Sequence, residues 1–396
     1  MNTPLRIGIE AQRLFRARKH GMDIYALELI KALQEIDTIN QYYIFAQPGE
    51  DEQCIDETKN FHIITQKTLS YPLWEQWTLP DLAKKYSLDL LHCTANTAPL
   101  RLKTKLLLTL HDVIFMQKDP QVKGKKGNSY QHFGNMYRKW VVPSVARKAD
   151  ALLTVSNFQK HEIARVLNVS EQKIQVTYNG VSPNFFEELD ESYLAQIRHK
   201  YHLPEHFFFF LGNTEPRKNL TGVLKAFHIF QQQNPNLASL VIKGIDETYL
   251  MQKLTEEGIQ DIRKYIHLVS YLTSEELAAL YHLSDCFLFP SFSEGFGIPI
   301  IEAMACGTPV ITSQTTSMPE ISGGATLLIN PADAGEMAVG MKQMLCNTAL
   351  AERFRKAGKS RATSFSWKDT AIPTLATYEK ITGRISTSHS NIYASY

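Results

Sequence analysis

The chain has 396 residues, is 44% apolar and 21% charged, and carries a formal net charge of +2. That length exceeds one ordinary hydrophobic core, so two domains are expected, and the near-neutral balance implies no nucleic acid or other bulk polyelectrolyte as partner. The charge is uneven, with 24 basic against 18 acidic side chains in residues 1–182 and 18 against 22 in residues 183–396. Five cysteines (Cys54, Cys93, Cys286, Cys306, Cys346) are scattered without metal-ligand or redox spacing, which suggests reduced, buried thiols. No signal-peptide pattern opens the chain and no apolar run approaches bilayer length, so a cytoplasmic protein is expected.

Leu5 to Ile9 reads as a buried strand, and Glu10 to His20 as an irregular polar and basic loop. From Gly21, apolar residues recur at helical spacing (Ile24, Leu27, Ile30, Leu33). Strand, loop and helix in that order open a doubly wound α/β domain. Gly21 could let backbone approach a phosphate or simply start the helix. Further strands are expected at 41–47, 61–65, 88–93 and 105–110, with a helix over 74–86. The strand 105–110 ends at His111-Asp112, and residues just past strand C-termini face the ligand crevice of an open parallel sheet. His111 could orient an acceptor or stabilise a reacting sugar, or be a histidine satisfied at a strand end. Asp112 reads as a turn residue.

Residues 101–148 hold eleven Lys and Arg against Asp112 and Asp119. The part 123–128 reads as a mobile loop, and 130–148 as a helix with interleaved aromatics, Tyr130, Phe133, Tyr137 and Trp140. This is either a solvated basic face or a peripheral contact with an anionic membrane at the inner face of the plasma membrane. Strands at 151–155 and 174–178, with Ser156 as N-cap between them, complete a domain spanning 1–182.

The pattern then restarts. The strand 207–211 ends at Gly212, a polar loop holds Arg217-Lys218, and a helix covers 220–232. Two cations there suit a diphosphate, Arg as a planar fork and Lys as a point charge, or form an ordinary solvated pair. Thr273-Ser-Glu-Glu276 announces a helix through a capping box. The stretch Pro290 to Val310 follows a buried strand, 286–289. Its loop carries Ser293, Glu294, Gly295, Phe296 and Gly297, and Pro299 opens a helix over 300–306. A glycine-rich loop feeding a helix N-terminus offers backbone donors and a positive dipole end to an anion. Glu294 could accept sugar hydroxyls or cap the helix. Glu302 could accept ribose hydroxyls or sit in a surface salt bridge. A last helix follows Trp367, and a polar tail, 386–396, is expected to be disordered. The second domain spans 183–367, with the last helix (about 368–385) assigned to the first. No Gly-x-Gly-x-x-Gly follows the first strand and no P-loop pattern is present, so a nicotinamide dehydrogenase and a P-loop NTPase are not supported. No Asp-x-Asp pair sits near a strand end, so no metal or other cofactor is required.

The run Glu294-Gly-Phe-Gly-Ile-Pro-Ile-Ile-Glu302-Ala-Met-Ala-x-Gly-x-Pro-Val resembles the signature of the family-4 retaining glycosyltransferases (glycosyl transferases group 1). Gly212 to Lys218, Val155-Ser-Asn-Phe158, Tyr178-Asn-Gly-Val181, Met318-Pro-Glu320 and Phe365-Ser-Trp367 extend the likeness over most of the chain. Pro216-Arg-Lys-Asn219 is similar to a bacterial subgroup of polysaccharide mannosyltransferases. The resemblance implies a GT-B fold: two Rossmann-like domains facing each other across a cleft, with the C-terminal helix crossing back to the first. It implies a retaining hexosyltransferase that moves mannose from GDP-mannose to a glycan or lipid-linked acceptor. Arg217 and Lys218 would bind the donor diphosphate, and Glu302 the ribose. Glu294, Gly295 and backbone at Phe296, Gly297 and Ile298 would hold the sugar, which His111 would line. Where many relatives have Gly-x-Gly near the first helix, this chain has Gly21-Met22-Asp23, so Asp23 could face the acceptor instead. The rival expectations are a catalytically silent nucleotide-sugar binding protein and a sugar-nucleotide epimerase of the same build.

Overall fold

The computed structural model describes residues 3–117, 119, 129–384 and 389. The expected loop 123–128 therefore lies outside the described residues, as does the tail 386–396 except for His389.

The chain folds into two α/β units. Among the described residues, one gathers 3–116, 129–180, 366–384 and 389; the other holds 117, 119 and 181–365. The first is built on β1 (Arg6–Glu10), β2 (Gln41–Ala46), β3 (Phe61–Thr65), β4 (Leu90–Cys93), β5 (Lys105–Leu110), β6 (Ala151–Thr154) and β7 (Ile174–Val176). These form one sheet in the order β3-β2-β1-β4-β5-β6-β7, every pair parallel. The second unit holds β8 (Phe207–Leu211), β9 (Ser239–Lys243), β10 (Ile266–Val269), β11 (Cys286–Phe289), β12 (Val310–Ser313) and β13 (Leu327–Ile329). Their order is β10-β9-β8-β11-β12-β13, again all parallel.

The strand sequences explain this. Phe207 to Phe210 and Cys286 to Phe289 are continuous apolar runs, fully buried, with no polar face to present to water. Only a parallel sheet covered by helices on both faces buries such a run completely. One face of the first sheet packs on α1 (Gly21–Ile36) through Tyr25, Leu29, Ile30 and Leu33. The opposite face packs on α2 (Ser129–Lys148) through Val141, Val142 and Val145. In the second unit α3 (Leu220–Gln233) buries Val223, Leu224, Phe227 and Phe230.

The last helix, α5 (Trp367–Thr382), belongs to the first unit, where Trp367, Ala371, Leu375 and Tyr378 join the core beside α1. Its entry explains two sequence motifs at once. A Cβ on Gly180 would collide with the Trp367 backbone nitrogen, and the Thr370 hydroxyl donates to the Tyr178 carbonyl at 2.5 Å. Tyr178-Asn-Gly and Ser366-Trp are therefore two halves of one close crossing. His389 is buried against this layer, its Nδ1 2.7 Å from Glu379 Oε1. Not all the thiols are buried: Cys54 is half-buried and Cys346 exposed, the latter at the end of the helix Ala334–Cys346.

Candidate functional site

In the second unit the charged residues converge at the carboxyl edge of the sheet. After β8 the chain turns through Glu215 and Pro216-Arg-Lys218 into Asn219, whose φ of 62° is left-handed. The Asn219 side chain does two jobs there. Its Oδ1 accepts the Gly222 N–H at 3.1 Å and so caps α3, while its Nδ2 donates to the carbonyls of Pro290 (3.0 Å) and Pro331 (2.7 Å). The loop after β8 is thereby pinned to the loops after β11 and β13. The Phe292 N–H donates to the Arg217 carbonyl at 2.8 Å, a second tie between the first two.

Arg217 and Lys218 meet on Glu294. The Arg217 guanidinium donates to Glu294 Oε2 at 2.8 Å, and the Lys218 ammonium to Oε1 at 2.7 Å. Arg217 Nε also lies 2.7 Å from Glu215 Oε2, and the Lys218 ammonium sits 4.9 Å from the centre of the Phe289 ring. Glu294 is 7% exposed. Burial alone pushes its carboxyl up, but the two adjacent cations outweigh burial and hold it down at about 2. Glu294 is therefore an ionised anchor for both cations. It does not cap the helix: Gly297, at φ 107°, is the N-cap residue of α4 (Ile298–Ala305), and no side chain bonds there. The helix starts one turn position earlier than the sequence suggests, with Pro299 second instead of first. The Ile298 N–H is thus one of the donors that a first helical turn cannot use internally.

Glu302, midway along α4, is half-buried and makes no salt bridge among the described residues. The Tyr281 hydroxyl donates to its Oε2 at 3.2 Å. Burial raises its carboxyl to about 7, with Tyr281 and the Lys243 ammonium opposing. Lys243, the last residue of β9, has its own ammonium pushed down by burial. The glycine-rich loop is held from β12: the Glu294 N–H donates to the Thr316 hydroxyl at 3.2 Å, and the Ser317 hydroxyl donates to the carbonyls of Glu294 (3.1 Å) and Phe296 (3.0 Å). Sequence reasoning missed Lys243, Tyr281, Thr316 and Ser317. Lys243 ends a strand and the 315–317 turn comes just after one, which is close to the positional signal that singled out His111.

The first unit presents a neutral counterpart. His111 follows β5 and is 9% exposed. Its N–H donates to Asn96 Oδ1 at 2.6 Å, its Nε2 lies 2.8 Å from the Thr94 carbonyl, and the Tyr25 ring meets it edge-on at 4.7 Å. Burial pushes its pKa down, with the Thr94 carbonyl and Asp112 opposing, so the ring is neutral. A neutral ring bonded to a carbonyl carries its proton on Nε2, which leaves the Nδ1 lone pair as an acceptor. Asp112 takes the Ile114 N–H at 3.0 Å and turns the chain.

Gly21 is the first residue of α1, and a Cβ there would meet nothing within 4 Å. Asp23 is buried, and its carboxylate accepts the His20 N–H at 3.1 Å, capping α1. The sequence missed Glu10, which ends β1 at 2% exposure. Its Oε1 accepts the Gln12 N–H at 3.0 Å and the Trp74 indole at 3.3 Å, while Oε2 has no hydrogen-bond partner among the described residues. Burial pushes this carboxyl up to about 7, helped by the Glu75 charge. Beside it opens a groove of about 230 Å³ lined by Arg13, Arg16, Gln47, Thr68, Leu69 and Tyr71.

The comparisons divide at the same place as the fold. Residues 20–185 match the family model described as Glycosyltransferase Family 4, and residues 196–361 match Glycosyl transferases group 1. O-antigen chain mannosyltransferase B of Escherichia coli is 28% identical over 381 residues, covering 91% of this chain and 96% of that protein. O-antigen chain mannosyltransferase RfbU of Salmonella typhimurium is 28% identical over 79% of this chain and 84% of its own length. Among solved structures, Anabaena Alr3699/HepE in complex with UDP superposes with a TM-score of 0.71 at 16% identity, covering 95% of this chain and all of that one. The fold is thus the GT-B pairing of two Rossmann-like domains.

Proposed function

We propose, starting from a chain that belongs to the group 1 and family 4 glycosyltransferases, that it moves a mannosyl group from GDP-mannose to a hydroxyl of a glycan or lipid-linked glycan in surface polysaccharide synthesis. The observation that carries this reading is the Arg217–Glu294–Lys218 cluster at the strand ends of the second unit. Breaking the bond between the sugar C1 and the diphosphate sends an electron pair onto a phosphate oxygen. That charge needs fixed positive groups, and a well-aimed donor in such a site contributes about 3–4 kcal/mol. Glu294 holds both cations in place before any ligand arrives. An ammonium has three protons, and Glu294 takes one, so Lys218 keeps donors for an incoming phosphate. The first turn of α4 adds backbone donors and a dipole end. These groups supply the positive charge in this reading, with no metal ion required.

Glu302 suits the ribose. A carboxyl raised to about 7 is ready to share protons with two adjacent hydroxyls. Glu294 suits the sugar, because each carboxylate oxygen accepts more than one hydrogen bond and its oxygens already face Arg217 and Lys218. His111, neutral and with Nδ1 available, suits a sugar hydroxyl. The acceptor oxygen bonds C1 on the face that the diphosphate leaves, its hydroxyl proton passing to the departing phosphate oxygen, so the anomeric configuration is retained.

The test uses the purified full chain with GDP-mannose, GDP-glucose and UDP-sugars. A ligand at a hundred times its Kd stabilises the folded state by about 2.7 kcal/mol, so GDP-mannose should raise the melting temperature most. NMR of the product with a lipid-linked glycan acceptor should show the donor's anomeric configuration. Inverted product removes the retaining mechanism, and a preference for UDP-sugars removes the donor assignment. Conversion of the donor to an epimer without acceptor removes transfer itself.

A further inference from the structure

The groove of about 230 Å³ beside Glu10 is lined wholly by residues of the first unit, and none of the donor-binding groups lines it. It is smaller than the roughly 300–1,000 Å³ of sites for drug-sized molecules, so it suits a small ligand. Its cations come from the turn after β1. Arg13 is half-buried, its guanidinium carbon 5.7 Å from the centre of the Tyr71 ring, and Arg16 is exposed. Neither makes an ion pair among the described residues, whereas the nearby Lys19 is taken by Asp51. The turn is fixed by the loop after β2: the Gln47 N–H donates to the Gln12 carbonyl and the Asp51 N–H to the Phe15 carbonyl, each at 3.1 Å. Gly49 presses on the same turn, since a Cβ there would lie 2.1 Å from the Phe15 carbonyl oxygen. The Tyr71 ring is fixed too, its hydroxyl 2.6 Å from the Thr97 hydroxyl. Two guanidiniums are thus anchored to a rigid frame that supplies no anion for them.

Glu10 offers the second half of a site. A slot of about 10 Å³, room for one hydroxyl or one water, shares Gln12, Arg13 and Tyr71 with the groove and has Glu10 in its wall. Glu10 Oε1 is filled by the Gln12 N–H and the Trp74 indole, so a proton on this carboxyl sits on Oε2. Oε2 is buried and has no hydrogen-bond partner among the described residues. Leaving such an atom unpaired is costly. A ligand hydroxyl in the slot would accept its proton or, when the carboxyl is ionised, donate to it. The other acids nearby are occupied or turned elsewhere. Asp23 caps α1, and Glu75 accepts the Tyr137 and Thr97 hydroxyls. Glu50 and Glu52 are exposed beyond Gly49 and do not line the groove. The arrangement therefore calls for an anion joined to a hydroxyl-bearing body. A tetrahedral phosphate offers separate oxygens to two guanidiniums, whereas a planar carboxylate is filled by one.

We propose that this groove binds a sugar phosphate, with Arg13 and Arg16 on the phosphate and Glu10 on a sugar hydroxyl. The ligand would be the phosphate-bearing sugar of the acceptor, whether a free sugar phosphate or the diphosphate-linked sugar of a lipid carrier. That role as acceptor rests on the transferase reading above; binding in the groove does not.

The experiment is calorimetric titration of the full chain, without donor, with a hexose 1-phosphate, the free hexose, inorganic phosphate and a short-chain prenyl diphosphate hexose. The hexose 1-phosphate should bind at least about tenfold more tightly than inorganic phosphate or the free hexose. Arg13→Gln with Arg16→Gln should weaken it at least about 100-fold, at about tenfold per charged hydrogen bond lost, and Arg16→Gln alone about tenfold. GDP should bind the arginine pair as it binds the parent, which shows that the pair is folded. Among monodeoxy hexose 1-phosphates, one should bind the parent about tenfold more weakly yet bind Glu10→Ala no more weakly than the full sugar does. Tighter binding of the prenyl diphosphate hexose assigns the groove to a lipid-linked sugar, and equal affinities assign it to a free sugar phosphate. No binding by the parent, or inorganic phosphate binding as tightly as the sugar phosphate, overturns the proposal. So does binding that survives the arginine pair and is lost in Lys218→Ala, which would place the sugar phosphate at the donor cluster. Binding in the groove with no mannosyl transfer to any acceptor would leave the site standing and sink the transferase reading alone.

Discussion

The two units place chemistry at the same topological position, the carboxyl ends of parallel strands, yet the two places are opposite in electrostatic character. In the second unit the groups are ionised and paired: Arg217 and Lys218 each lie within 2.8 Å of a Glu294 oxygen, with Glu215 on Arg217. In the first unit they are buried, and burial favours their neutral forms. His111 is bonded to a carbonyl, and Glu10 is held near 7. Behind them, His92 joins Tyr378 and Thr109 at 2.7 Å each, its own pKa pushed by burial down to about 3. A pre-paired ionic cluster suits a ligand that is itself charged, because the cations are already desolvated and aimed. A neutral lining suits hydroxyls, which need acceptors and donors but no counter-charge.

The sharpest way to break this contrast is Lys218→Ala. Turnover should fall about 100- to 1,000-fold. Stability should fall by only about 1–3 kcal/mol, since Glu294 keeps Arg217. Initial rates alongside chemical denaturation separate the two, and parent-like turnover would mean the cluster is structural only. Glu294→Gln comes next. Two cations lose their shared anion, at a cost of about 2–3 kcal/mol, below the figure for a fully buried pair because Arg217 and Lys218 are partly exposed. Free nucleotide diphosphate should then stabilise the variant more than it stabilises the parent, as measured by thermal shift.

Glu10→Gln probes the neutral side. A folded carboxyl at about 7 against 4.5 in the unfolded chain means that the folded state binds the proton more tightly. Its stability contribution is present below pH 4.5 and lost as pH rises through 7. The variant should therefore be about 3 kcal/mol more stable than the parent at pH 8 and equal to it at pH 4, read from denaturant midpoints. The smallest effect is Gly21→Ala. Its Cβ meets nothing, and alanine favours a helix, so stability should rise by about 0.5 kcal/mol. A large loss of turnover in a stabilised variant would show that ligand backbone or phosphate approaches there.

Much of this was visible in the linear chain. Apolar runs bounded by loops announced the parallel strands, because burial on both faces leaves no other reading for Phe207 to Leu211 or Cys286 to Phe289. The capping box at Thr273 and Glu276 and the cap at Ser156 formed as spaced, since a cap needs only residues within one turn of the chain. Arg217, Lys218 and Glu294 were singled out separately, by neighbours in sequence.

Their meeting was not visible, and neither were the partners of Glu302 or the buried Glu10. Each of these depends on side chains separated by tens of residues, brought together by strand order and by loops pinned from a distance, as Asn219 pins Pro290 and Pro331. Local spacing records which groups a segment can offer. Whether a carboxylate becomes a surface ion, an ionised anchor at about 2 or a protonated acid near 7 is set by burial and by the charges that packing places beside it, and those exist only once the chain has folded.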